Sequence, residues 1–170
     1  MLGLLRRNLR SAPKTTKELG YKALVRPILE YASSVWDPYE EKDITKIEKV
    51  QRRAARFVLN RYRQTDSVTA MLEELGWHTL QQRRRKARLS MLHKINSGQV
   101  HIRLNKLKKL ANRSGRRRGH SEMFERITCR TTYRNQTFLP RTIREWNDLP
   151  PNIAEAATLG TFASRVTKSL

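Results

Sequence analysis

Residues 44–58 read ITKIEKVQRRAARFV, and the reading of the fold starts from them. Ile44, Ile47, Val50, Ala54, Phe57 and Val58 recur at steps of three and four, which marks one face of an α-helix. Lys49, Arg52, Arg53 and Arg56 recur at i, i+3, i+4 and i+7 on a second face. At about 100° per residue the two arcs hardly overlap. The spacing predicts a helix with one face in a core and a row of cations in solvent.

The same period extends in both directions. Leu2, Leu5 and Leu9 share a helical face, with Arg6, Arg7 and Arg10 beside them. Ser11-Ala12-Pro13 is a break, and Pro13 suits the opening of the next helix. Tyr21, Leu24, Val25, Ile28, Ala32, Val35 and Trp36 then predict one helix with a broad apolar stripe, kinked at Pro27 and ended by Asp37-Pro38. Asp66-Ser67 reads as the cap of a short helix carrying Val68, Met71, Leu72 and Leu75 and stopped by Gly76. Thr79 caps a longer helix to Ser97-Gly98, whose apolar stripe reads Leu80, Ala87, Met91 and Ile95. The cations Arg83, Arg84, Arg85, Lys86 and Arg88 surround that helix, and Arg84 and Arg88 fall beside the stripe. Either their stems snorkel or that face meets a polyanion.

Composition changes at 102–121, where eight Lys or Arg stand without an acid. The stretch NRSGRRRGHS, with Arg116, Arg117 and Arg118, has almost nothing to bury and predicts a flexible basic linker. Beyond it, 127–132 and 137–139 are short β-prone runs flanking Arg134-Asn135-Gln136, the pattern of a hairpin. A short helix around Thr142 to Trp146 and a last amphipathic helix with Leu159, Phe162, Ala163 and Val166 complete the chain. The expected architecture is mainly α: a helical bundle over 1–100, a basic linker over 101–122 and a small α+β segment over 123–170.

Charge sets the class of partner. Thirty-six Lys and Arg face fifteen Asp and Glu, a formal net charge of +21 and a pI near 11.2. A field of that sign gathers polyanions, so nucleic acid is the expected partner and an anionic membrane the second choice. No stretch approaches the roughly 18 apolar residues of a membrane span. Cys129 is the only cysteine, which excludes an intramolecular disulfide and a cysteine-based zinc site and fits an intracellular setting, nuclear or cytoplasmic. The basic, acid-free start is faintly like a transit peptide, but an amphipathic helix within the fold is the preferred reading.

Catalytic patterns are missing. Two-metal chemistry needs clustered carboxylates, and Asp37, Asp43, Asp66 and Asp148 are scattered. Glu40, Glu41 and Asp43 stand where a helix begins and complement its dipole. His78, His93, His101 and His120 form no metal-ligand spacing, and no glycine-rich phosphate cradle occurs. No cofactor or metal is expected. Cys129 reads as a half-buried strand residue, His120 as an exposed loop residue, and Trp36 and Trp146 as core residues.

Six strings in order carry a resemblance. LGLLRRNLR (2–10), LVRPILEYASSVWDP (24–38), IEKVQRRAARFV (47–58), SVTAMLEELGW (67–77), RRRKARLSMLHKI (83–95) and FLPRTIREWNDLP (138–150) together cover most of the chain. The set closely resembles the region downstream of the polymerase palm in jockey-like LINE (non-LTR retrotransposon) reverse transcriptases. The resemblance implies a thumb-like helical region, followed by a basic C-terminal portion, that grips a template–primer duplex for a larger enzyme. The palm motif with its paired aspartates, the endonuclease and a zinc knuckle have no match here. The chain is therefore expected to be a non-catalytic part of such an enzyme. Its partners would be RNA or an RNA–DNA duplex and the missing palm and fingers, with an inert relic or a host-adopted basic protein as the alternatives. The expected phosphate contacts are Lys49, Arg52, Arg53, Arg56, Arg83, Arg84, Arg85, Lys86, Arg88, Arg116, Arg117 and Arg118.

Overall fold

The computed structural model describes residues 1–100, 107–110 and 119–169, and the chain is mainly α. Its helices are α1 (Leu2–Asn8), α2 (Lys14–Gly20), α3 (Arg26–Glu30), α4 (Ser33–Trp36), α5 (Glu41–Leu59), α6 (Val68–Glu74), α7 (Leu80–Asn96), α8 (Thr132–Asn135), α9 (Phe138–Asn147), α10 (Pro151–Ala154) and α11 (Leu159–Lys168). They divide into two compact units, Met1–Arg84 and Arg85–Leu170, so the division falls inside α7 rather than near residue 100.

The first unit is built on α5. Glu41 and Asp43 occupy its first turn and complement the helix dipole, and Asn60 ends it in the left-handed conformation that asparagine tolerates. Ala54, Phe57 and Val58 pack with Leu5, Tyr21 and Val25 into one core cluster. Leu2, Leu9 and Val50 are partly buried against it, so the apolar faces of α1 and α5 lie where the spacing predicts. Ala55 adds a smaller cluster with Met71 and Leu72 of α6. The predicted stops hold: Ser67 accepts from the Ala70 N–H, and Gly76 takes a positive φ after α6. Thr79 and Gln82 form a reciprocal capping box at the start of α7.

The stripe predicted over 21–36 is only half realised. Pro27 has no N–H to donate, and the turn ahead of it, Tyr21–Val25, widens to a π-helix in which Arg26 N–H reaches Tyr21 O. The extra residue rotates the downstream helix. Tyr21 and Val25 are buried, whereas Leu24, Ile28, Tyr31, Val35 and Trp36 are exposed, Val35 at 84% and Trp36 at 40%. Ala32 breaks the helix with a φ of 49°, so α4 is a separate turn and Trp36 is not a core residue.

The second unit is centred on Trp146. Its ring stacks on Phe162 at 5.5 Å and meets Phe124, His93 and His120 at 6.0 to 6.3 Å. The indole N–H donates to Glu122 O, and His120 Nε2 hydrogen-bonds Trp146 O. The Asn147 side chain makes both ladder bonds with the Phe124 backbone, accepting from its N–H and donating to its carbonyl. A single antiparallel bridge, Lys109 with Phe124, is the only β pairing among the described residues. The expected hairpin is absent there: 132–135 and 138–147 are helical, and Cys129 lies half-buried outside any strand. Propensity alone misread this stretch, because Thr131 caps α8 and Pro140 sits in the first turn of α9, where it loses no hydrogen bond. Within the expected linker, Leu107 packs on this core and His120 is buried; Arg116, Arg117 and Arg118 lie outside the described residues.

A core role for the α5 face predicts that Phe57→Ala costs about 3–5 kcal/mol in chemical denaturation. Val35→Ala, on the exposed turn that follows the break at Ala32, should stay within about 0.5 kcal/mol.

Candidate nucleic-acid interface

With more than twice as many cations as carboxylates, the informative division is between cations that hold a carboxylate and cations that do not. On α5 the division follows from sequence spacing. A cation at position i finds its helical partner at i±3 or i±4. For Lys49 those positions are Lys46, Thr45, Arg52 and Arg53, with no acid among them. Arg53 has Val50, Lys49, Arg56 and Phe57. Arg52 has Glu48 one turn back, but the Glu48 carboxylate accepts from the Gln81 N–H at 2.7 Å instead. Lys49, Arg52 and Arg53 are exposed, and none forms a hydrogen bond or ion pair with another described residue. They stand opposite the buried face carried by Ala54, Phe57 and Val58.

Arg56, the fourth member of the predicted row, serves the fold. Its guanidinium donates to Arg63 O at 3.0 Å and reaches Asp66 O, closing the loop after α5. Carbonyls left without a helical partner are thereby satisfied, at the expense of a free charge.

The run over 83–88 differs more sharply from expectation. Arg83 makes a two-pronged pair with Glu30, its Nη2 donating at 3.0 Å. Arg84 is fully buried, its Nε donating to Asp37 at 2.6 Å and its guanidinium 5.9 Å from the Trp36 ring centre. In the second unit, Glu145 receives Arg85 at 3.3 Å, Arg88 at 2.6 Å and Arg141 at 3.5 Å. Lys86 Nζ donates to Thr167 Oγ1 at 2.5 Å. Arg88 is 2% exposed, so neither it nor Arg84 offers its charge to solvent as the phosphate reading required. The buried stripe of α7 runs through Leu80, Arg84, Arg88, Leu89 and Leu92, while Ala87 is exposed. The reading from apolar residues alone fails because two buried positions are arginines, each held by a carboxylate far away in sequence.

Trp77 is occupied as well. It stacks on Tyr21 with ring centres 4.6 Å apart, and its N–H donates to Glu18. Cations outside the predicted set are also without a carboxylate partner among the described residues, among them Arg6 and Arg7 on α1, Arg10 in the turn after it and Lys17 on α2. The arginines were legible as a basic flank of the α1 leucines, but nothing local marks Lys17. Among the described residues no group of three or more His, Cys, Asp or Glu could hold a metal ion. No helix among them is long and apolar enough to cross a membrane.

The paired carboxylates carry pH dependence. Lys22 and the Trp77 N–H hold Glu18 below the ordinary carboxylate range, and Lys109 and Asn96 do the same for Glu122. Burial works against the charged forms of Arg84 and Arg88, pushing both below the usual arginine value.

Because Glu18 and Glu122 titrate lower in the folded chain, their stabilisation is complete above the ordinary value of 4.5. It is lost as pH falls through their folded values. Denaturation midpoints should therefore hold from neutrality to about pH 5 and decline below it. Asp37→Ala leaves Arg84 buried without its anion and should cost about 3–5 kcal/mol. Arg52→Gln should change stability by no more than about 0.5 kcal/mol in the same assay. No family model matches the chain, nor does any curated protein or any solved structure.

Proposed function

We propose that the chain binds the phosphate backbone of RNA or an RNA–DNA duplex without sequence preference. In this reading it acts as the thumb-like, non-catalytic part of a non-LTR reverse transcriptase. The observation that carries the proposal is the unpaired row on α5. Lys49, Arg52 and Arg53 are exposed together on one face of a 19-residue helix, with no carboxylate bound to any of them. A duplex laid along the row meets these charges as point contacts to phosphate, which position a strand and carry no base information. The net charge of +21 supplies the long-range attraction.

A partner protein is the second part of the reading. Leu24 and Ile28 stand one turn apart, and Tyr31 and Val35 lie beyond them, all exposed on the first unit. Apolar groups of that size in solvent favour a covering surface, which the palm and fingers of a parent enzyme would supply.

The test is a salt titration. Each phosphate contact contributes about 0.9 to the slope of log affinity against log salt on duplex DNA. Replacing Lys49, Arg52 and Arg53 with Gln should flatten that slope by about two to three units, equally for unrelated sequences. An unchanged slope with the fold intact removes this face from the interface.

A further inference from the structure

Arg6 and Arg7 from α1, Arg10 from the turn after it, Lys17 from α2, Phe57 from α5 and Tyr62 just beyond it line a cavity of about 810 Å³. Among the described residues no carboxylate lines it. Lys17 is 6% exposed, its stem covered by its neighbours and its ammonium facing the cavity. Its Nζ lies 5.4 Å from the centre of the Phe57 ring, and it has no hydrogen bond or ion pair with another described residue. An ammonium that has given up part of its hydration with no anion beside it is unfavourable, and one aromatic face recovers only part of what was lost. Three arginines around the same space add repulsion. Four cations in one cavity with no internal counter-charge are relieved by an anion that enters it.

The geometry points to a phosphate group as that anion, held in this cavity with Lys17 as the buried charge. Arg7 and Arg10 supply planar forks that match phosphate oxygens in pairs. Arg6 lies 5.7 Å from the centre of the Tyr62 ring, and Tyr62 is half exposed. That stacked pair gives the cavity a flat wall against which a base can lie. The volume accommodates a nucleotide as well as its phosphate. The site differs in kind from the α5 row: the row touches a backbone from outside, whereas this cavity encloses a single phosphate. Only the source of the phosphate rests on the nucleic-acid reading, since a strand end and a free phosphate species present the same oxygens.

The experiment uses the full chain and inorganic phosphate. Thermal unfolding is followed at constant ionic strength while phosphate replaces chloride. The wild-type midpoint rises with phosphate, because an anion bound only by the folded chain stabilises it. Lys17→Met weakens phosphate binding by about tenfold to a hundredfold, since a charge-assisted contact is removed. In phosphate-free buffer its midpoint equals or exceeds that of the wild type, because an uncompensated buried charge has gone. A wild type indifferent to phosphate overturns the proposal, as does a Lys17→Met chain that keeps the full response with a uniformly lower midpoint. Should Lys17→Met fail to fold, the exposed pair Arg7→Gln and Arg10→Gln carries the same comparison: loss of the response supports the site and retention overturns it. Tighter binding of a 5′-phosphorylated single strand than of its hydroxyl-ended twin assigns the phosphate to a strand end. Equal binding with the inorganic response intact assigns it to a free phosphate species. The chain with Gln at 49, 52 and 53 keeps the phosphate response, so failure of the α5 reading and failure of this one are seen separately.

Discussion

Fifteen carboxylates cannot neutralise thirty-six cations, and the positions of those few acids decide what the rest of the surface does. Where a carboxylate is available, an arginine can be taken into the protein. Asp37 permits Arg84 to be buried, and Glu145 permits Arg88. Where none is available, the cation turns to a carbonyl or hydroxyl, as Arg56 and Lys86 do, stays in water, or faces a cavity open to an anion. The α5 row and the Lys17 cavity are two outcomes of that shortage in the first unit. A buried pair of this kind contributes little net stability compared with an apolar replacement, but losing one partner is strongly destabilising. These pairs therefore constrain the fold more than they strengthen it.

The two units solve the core problem differently. Around α5 the core is built from residues at helical spacing, with Ala54 and Ala55 leaving room for Tyr21 and for Met71 on neighbouring elements. Around Trp146 a single large ring collects aromatic neighbours from distant segments, and the polar edges of that assembly are closed by side chains. Asn147 takes the place of a neighbouring strand for Phe124, and the imidazoles of His93 and His120 each hydrogen-bond a carbonyl. Asn147, His93 and His120 each have at least one such bond, the usual condition for burying a polar side chain.

Pairing also bears on the proposed function. A cation with a fixed carboxylate beside it has lost most of its value to a phosphate, since the incoming anion must compete with one already in place. Lys49, Arg52 and Arg53 have no such competitor, and neither has Lys17. The proposed surface is thus defined by subtraction from the basic composition, and the helix with the densest run of arginines contributes less to it than its sequence implies.

The sequence by itself determined the mainly helical class, the two faces of α5 and the apolar face of α1. It also determined the ends of α6 and the start of α7, because each depends on residues within one or two turns of one another. Ser67, Gly76 and Thr79 act on their own backbone, and the spacing of Ile44 to Val58 is a property of one helix. Only the tertiary structure decided which arginines are free. Arg84 is held by an acid 47 residues away, Arg83 by one 53 away and Arg88 by one 57 away, distances over which no local spacing is informative. The same reason hides Lys17, whose burial is imposed by Phe57 from another helix, and the helical form of 132–147, where packing around Trp146 overrides a β-prone composition. Ile28 and Val35 followed the predicted period and still ended in water, because the π turn before Pro27 and the left-handed break at Ala32 interrupt the single helix that the period assumes.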